Sequence, residues 1–200
     1  MPSMMIHLLT AYKLEALKDT LFCIGTVAPD AVKGREEKDI THFRTEKNRE
    51  KALIDLACKS DRENSFSEGI LSHLYLDWLW DNQAYSEYAK NHKGNDWFYC
   101  YRDEIAKAGS FVFRNYSWSD EVFLRMVDCP IKLYGTTPGT TSQIVFEMIK
   151  RNYLWNKDRN IGPSYVFTPE YVEEFTSNAA KSYKKWRNRI KVKTHKNMGA

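Results

Sequence analysis

A chain of 200 residues with 42% hydrophobic and 28% charged side chains is long enough for one domain with a buried core, and its balance excludes a disordered or fibrous protein. No stretch reaches the ~18 consecutive apolar residues of a membrane-spanning helix. The net charge of +4 is uneven, because Lys181 to Lys196 hold eight basic side chains and no acidic one, leaving the rest of the chain slightly acidic.

From the N-terminus, Met4, Met5, Ile6, Leu8 and Leu9 enclose His7 in a short apolar segment that reads as helix. No basic residue precedes it and no small-residue cleavage site follows, so no secretory signal is expected. Cys23 to Val27 is apolar and fits helix or strand equally. Gly25 to Arg44, with Pro29, Gly34 and many charges, is expected to be irregular, and a loop of that length suggests function. Ala52, Leu53, Leu56 and Ala57 recur at helical spacing within Thr45 to Lys59. A long helix is predicted from about Ser65 to Lys90.

Farther on, Asp96 is expected to cap a helix carrying Phe98, Tyr101, Ile105, Ala108 and Val112 on one stripe. Ser119 is expected to cap another, with Val122, Phe123, Met126 and Val127 inward and Pro130 as its stop. A turn-rich segment, Tyr134 to Gly139, precedes a helix marked by Ile144, Val145, Met148 and Ile149. The last helix has Thr168 at its cap, Pro169 in first position, and Glu170, Glu173 and Glu174 in its first turns. Ala179, Tyr183, Trp186 and Ile190 continue its apolar stripe. The fold class is therefore all-α, a single-domain bundle of six to eight helices over residues 1–190, with 191–200 as a flexible basic tail. The basic end reads first as a solvated helix face that complements the dipole. Contact with nucleic acid or anionic lipid is the lesser reading, because no recognisable nucleic-acid motif accompanies it. Cys23, Cys58, Cys100 and Cys129 form no C-x-x-C pair, so reduced thiols in a cytoplasmic protein are expected.

The chemistry sits in Gly69 to Asp81. Apolar residues surround this helix on nearly every side, so it is expected to be buried. His73 and Asp77 lie in its middle, four residues apart and on one face. A buried carboxylate costs several kcal/mol unless a cation or metal pairs with it. An imidazole and a carboxylate one turn apart can share one ion, and a core His–Asp pair is the plainer alternative. Gly69, one turn earlier, leaves room for another segment to approach, and Asp81 extends the same wall. Asp30 and His42 supply further nitrogen and oxygen ligands from the upstream segment. Zinc accepts such a set, as do manganese, iron or nickel.

His7, Gly25-x-x-x-Pro29-Asp30, His42-Phe43 and Gly69-x-x-x-His73-x-x-x-Asp77, taken in order over the first 90 residues or so, resemble the zinc-dependent phospholipase C family. That family is similar to the fungal single-strand-specific zinc nucleases and shares their all-helical fold. The resemblance implies that Asp30, His42, His73 and Asp77 bind one zinc. It also implies that Asp77 bridges to another zinc held partly by His7, and that metal-activated water hydrolyses a phosphoester bond. Of the family's downstream cluster, with its His-x-x-x-Glu pair, only the spacing of His92 and Asp96 is kept, across the turn residues Gly94 and Asn95, which need not hold the two on one face. Only His92 and His195 remain downstream; His92 reads as a surface loop, and Asp103 and Glu104 are the candidate substitutes. One or two ions are therefore expected, not three.

The expected function is a metal-dependent hydrolase of a small phosphoester or lipid head group. Asp30 is the candidate for accepting the proton of the attacking water, and Arg44 for touching the phosphate. The alternative is a non-catalytic helical protein that binds metal or a partner. An HD-type phosphohydrolase needs a His-Asp dipeptide, and a ferritin-like site needs paired Glu-x-x-His motifs; neither occurs.

Overall fold

The computed structural model describes residues 1–61, 63–129, 142–158 and 161–197, with side chains described as far as Ile190. The described residues are helical throughout, without a strand: α1 Met4–Lys13, α2 Thr20–Val27, a 3-10 turn Ala28–Asp30, α3 Arg35–Thr41, α4 Arg49–Lys59, α5 Ser65–Trp80, a π turn Asp81–Tyr85, α6 Ser86–Asn91, α7 Trp97–Asn115, α8 Ser119–Val127, α9 Ser142–Asp158 and α10 Pro169–Asn197. The all-α expectation holds. Pro130 and the segment Tyr134 to Gly139 lie outside the described residues.

Local chemistry sets several helix starts. The side chains of Asp19, Asn48 and Asn64 accept from the backbone N–H groups of Phe22, Lys51 and Ser67, capping α2, α4 and α5. Thr168 caps α10 through Tyr171 N–H, with Pro169 in first position as expected. Two expected caps differ. Asp96 stands at the start of α7 but makes no capping bond. Ser119 is the first residue inside α8, with Trp118 at the cap position, and its buried hydroxyl faces Val112 O instead.

The segment expected to be an irregular loop is largely helical: it contains the end of α2, the 3-10 turn and α3. Pro29 stands in the first turn of the 3-10 segment and Gly34 just before α3, positions that suit them, whereas Gly25 lies within α2. Cys23 to Val27 resolves as helix. At the other end, α10 runs on to Asn197, so residues 191–197, expected as tail, continue the helix.

The centre of the molecule is the crossing of α2 and α5, the most extensive helix pair. Two glycines make it possible. A Cβ on Gly25 would lie 2.1 Å from Phe66 O, and one on Gly69 would lie 2.2 Å from Phe22 O. Both obstacles are backbone and cannot swing away, so α2 and α5 meet closely only because neither glycine has a side chain. α1 packs on this pair and also on α7 and α10, while α8 and α9 close the α2 side. Ile6, Leu8, Leu9, Ile24, Leu74, Leu76, Trp80 and Phe123 are fully buried between these layers. α5 is buried over most of its circumference, as its sequence predicts. No helix among the described residues is long and apolar enough to cross a membrane.

Candidate metal centre

The α2–α5 crossing brings α5 against the 3-10 turn and α1. Five side chains from four segments converge there: His7 of α1, Asp30 of the 3-10 turn, His42 at the end of α3, and His73 and Asp77 of α5. His73 and Asp77 share a face because they are one turn apart. His42 is aimed inward by the chain reversal after α3. There Phe43 adopts φ 55°, and Arg44 N–H returns to Asp39 O at 2.8 Å. A left-handed conformation at a non-glycine residue costs roughly 1–2 kcal/mol. The half-buried ring of Phe43, packed on the core, offsets that cost.

The outer nitrogens fix the histidine rings. His42 Nδ1 is 2.7 Å from Lys38 O, and His73 Nδ1 is 2.7 Å from Thr26 O. A carbonyl oxygen only accepts, so each Nδ1 carries a proton and donates. In a neutral imidazole the other nitrogen, Nε2, then presents a lone pair. The two Nε2 atoms face each other at 3.0 Å. His42 Nε2 is also 3.2 Å from Asp30 Oδ1 and 3.3 Å from Asp77 Oδ2, and His73 Nε2 lies 3.7 Å from Asp30 Oδ1. The His7 ring stacks parallel to His73 at 3.8 Å between centroids, with its Nε2 3.3 Å from Asp77 Oδ1. Neither ring nitrogen of His7 has a hydrogen-bond partner, nor does Asp77 Oδ1, although all three atoms are buried. The middle of the cluster is thus a set of acceptors aimed at one another. It is stable only with a proton or a cation among them.

Burial acts on every group here. It pushes the His73 imidazole down to about 3, helped by His7 and opposed by Asp30 and Asp77, so His73 is neutral at physiological pH. Burial raises the Asp77 carboxyl, but the close approach of His7 and the neighbouring His73 and His42 rings outweigh it and hold Asp77 below the usual carboxylate range. Burial likewise opposes Asp30, and Lys38, the His42 hydrogen bond and the imidazoles hold it well below its ordinary value. Both carboxylates are ionised.

A second ring of charge surrounds the first. Lys38 Nζ lies 2.8 Å from Asp30 Oδ1. Arg44 is not free for a phosphate: its guanidinium binds Asp81 at 2.8 Å, Asp77 at 3.3 Å and Asp39 at 3.5 Å. Arg49 adds a bond to Asp81 at 2.7 Å. Asp81 therefore lines the wall, as its position one turn after Asp77 suggests, but as a partner of two arginines. Lys38 and Arg49 carry no signal in the sequence, being ordinary charged residues of short helices. Asp103 and Glu104 are committed elsewhere. Asp103 pairs with Lys107, and Glu104 accepts from Ser164, Tyr165 N–H and Val166 N–H. His92 is an exposed residue at the end of α6, stacked on Tyr88. The side chain of His195 lies outside the described residues.

A cleft of about 1170 Å³ opens beside the cluster. Of the five converging residues, Asp30 alone lines it. Lys38, Arg44, Arg49 and Asp81 form the adjoining wall, and Tyr85, Phe98 and Tyr101 an aromatic one. Comparisons with protein-family models, curated proteins and solved structures found no match for the chain.

Proposed function

We propose that the protein is a divalent-metal-dependent hydrolase of phosphoester bonds, with the ion held by His7, Asp30, His42, His73 and Asp77 and zinc as its first candidate. The observation that carries this reading is the pair of Nε2 atoms facing each other at 3.0 Å, each held there by a bond from its own Nδ1. Backbone carbonyls behind metal-binding histidines are a recurrent device for fixing tautomer and aim. The spacing fits as well. Ligand atoms at the ~2.0–2.1 Å typical of zinc–nitrogen bonds lie about 3.3 Å apart around a tetrahedral ion. The separations around His42 Nε2 are 3.0, 3.2 and 3.3 Å. The two possible ligand groups, His7–Asp30–His73 and His42–His73–Asp77, share His73, which favours one ion over two.

A bound divalent ion supplies Lewis acidity, lowering the pKa of water to about 7 and offsetting charge on a phosphoryl oxygen. The chain's own residues supply the rest. Asp30 is ionised and lies on the cleft wall, so it accepts the proton of the attacking water. Lys38, paired with Asp30 at 2.8 Å, holds that carboxylate in place and ionised. Arg44 and Arg49 hold Asp81, and Arg44 also holds Asp77, which keeps the centre rigid. The cleft suits a small phosphoester or lipid head group. The free thiols Cys23, Cys58, Cys100 and Cys129 fit a reducing compartment such as the cytoplasm.

One observation favours a second reading. Lys38, Arg44 and Arg49 already balance much of the carboxylate charge, so the cluster can serve as a metal-free or structural polar core in a non-catalytic binding protein. Elemental analysis of protein purified without chelators separates the two. The hydrolase reading expects one ion per chain and cleavage of bis(p-nitrophenyl) phosphate that chelation abolishes. Asp30→Asn is expected to retain the fold and most of the metal but lose at least a hundredfold in rate. Protein free of metal sinks this reading, and bound metal without exchangeable water favours the second.

A further inference from the structure

The basic residues that line the cleft divide into two sets. Beside the candidate centre, Lys38, Arg44 and Arg49 are spent on Asp30, Asp39, Asp77 and Asp81, and Arg35 lies 3.8 Å from Asp39. Arg102 of α7 and Arg151 of α9 also line the cleft and form no ion pair among the described residues. Lys33, just before α3, also lines the cleft; its backbone N–H donates to Glu37, and its ammonium forms no ion pair among the described residues. The uncompensated positive charge of the cleft therefore lies largely away from the centre, on two different helices.

The same wall holds a buried polar group in need of a partner. Asn156, one turn beyond Asn152 on α9, lines the cleft and is only 4% exposed. Its Nδ2 donates to Asn152 O at 2.8 Å, but its Oδ1 accepts nothing. A buried acceptor left unmatched costs about 1–3 kcal/mol. Met5, Ile105 and Met148 add apolar surface to the cleft lining.

We propose that Arg102, Arg151 and Asn156 form a second phosphate-binding subsite, so that the substrate is an organic molecule with two phosphate groups, one at the candidate centre and one at this wall. The two guanidinium groups take the anionic oxygens, and Asn156 Oδ1 takes the hydrogen of a P–OH group. The subsite stands on its own geometry; only the two-phosphate substrate class rests on the phosphoester reading above.

Calorimetry with two defined probes tests both parts. Hexyl phosphate is titrated into chelator-treated full-length protein, and α,ω-alkanediol bisphosphates of graded length into the zinc-loaded protein. In the chelator-treated protein, Arg102→Ala/Arg151→Ala is expected to weaken hexyl phosphate at least tenfold, as the loss of charge-assisted hydrogen bonds requires. Both arginines are exposed, so the double variant keeps the fold and its zinc content. In the zinc-loaded protein, the bisphosphate of matching length is expected to bind at least tenfold more tightly than the monophosphate of the same chain, and the double variant to lose that gain. Hexyl phosphate affinity that is undetectable at millimolar concentration, or unchanged in the double variant, overturns the subsite. No gain at any chain length overturns the two-phosphate substrate. Zinc content measured on the same samples reports separately on the hydrolase reading; without zinc, the chelator-treated arm still decides the subsite.

Discussion

Two buried ionic groups lie on α5, and they are built differently. Near its start, Glu68 receives Arg187 of α10, with Arg187 Nε at 2.9 Å, and also the hydroxyl of Tyr183 at 3.0 Å. Arg187 Nη1 donates to Ala57 O, which ties α10 to α4 as well. No buried side-chain atom of Glu68 or Arg187 lacks a partner. Around the next turns of α5, His7, His42, His73 and Asp77 are buried more deeply still, yet acceptors face acceptors there and several atoms have no partner. A structural ion pair closes its own hydrogen bonds. A group that leaves buried atoms unmatched carries a cost that a proton or a cation would relieve.

Three measurements press on that contrast, from the largest effect to the smallest. Asp77→Ala removes the carboxylate that touches His7, His42 and Arg44, and it is expected to destabilise the fold by about 3–5 kcal/mol while abolishing metal binding. Denaturant unfolding and elemental analysis read the two effects; metal retained at one ion per chain would remove Asp77 from the ligand set. Arg187→Met breaks the other group. Glu68 is 17% exposed and can turn toward water, so about 2 kcal/mol is expected, with metal content unchanged. A loss of metal in this variant would erase the distinction between the two groups.

The third measurement is pH dependence. The His73 imidazole is pushed from its usual 6.5 down to about 3, so the unfolded chain binds a proton that the folded chain refuses. Stability from this group is complete above about pH 6.5 and falls as the pH drops toward 3, with the lowered carboxyls of Asp30 and Asp77 adding to the loss at the acid end. From pH 6.5 to 5.0 the expected loss is about 1.5 kcal/mol. Stability measured from pH 7 to 5 that stays flat would mean that His73 titrates normally.

The candidate centre was legible in the sequence to an uneven degree. His73 and Asp77 could be placed together because helix periodicity is local and α5 is apolar all round. Gly69 could be read as a point of close approach, and Gly25 proves to be its counterpart across the crossing. Asp30 and His42 were legible as ligand types, but the segment holding them was expected to be a loop, since Pro29 and Gly34 at element starts look the same in sequence as they would in a coil. Arg44 was placed near the centre with the wrong partner. A phosphate and a carboxylate satisfy a guanidinium equally, and only the fold shows that three aspartates reach it first. Lys38, Arg49 and the pairing of Glu68 with Arg187 gave no signal, because surface-type residues acquire partners only through packing.

By itself the sequence determined what depends on neighbours within a turn or two: the helical class, the cap and start of α10, the burial of α5, and a histidine and an aspartate on one of its faces. The tertiary structure alone decided which distant residues meet that face, which carboxylates the arginines neutralise, and where the free positive charge of the cleft lies. The reason is physical. Backbone geometry fixes the direction of side chains within a few residues, whereas contacts across 30 or 100 residues depend on how close two helices can come. Here that distance was set by a pair of missing Cβ atoms at Gly25 and Gly69.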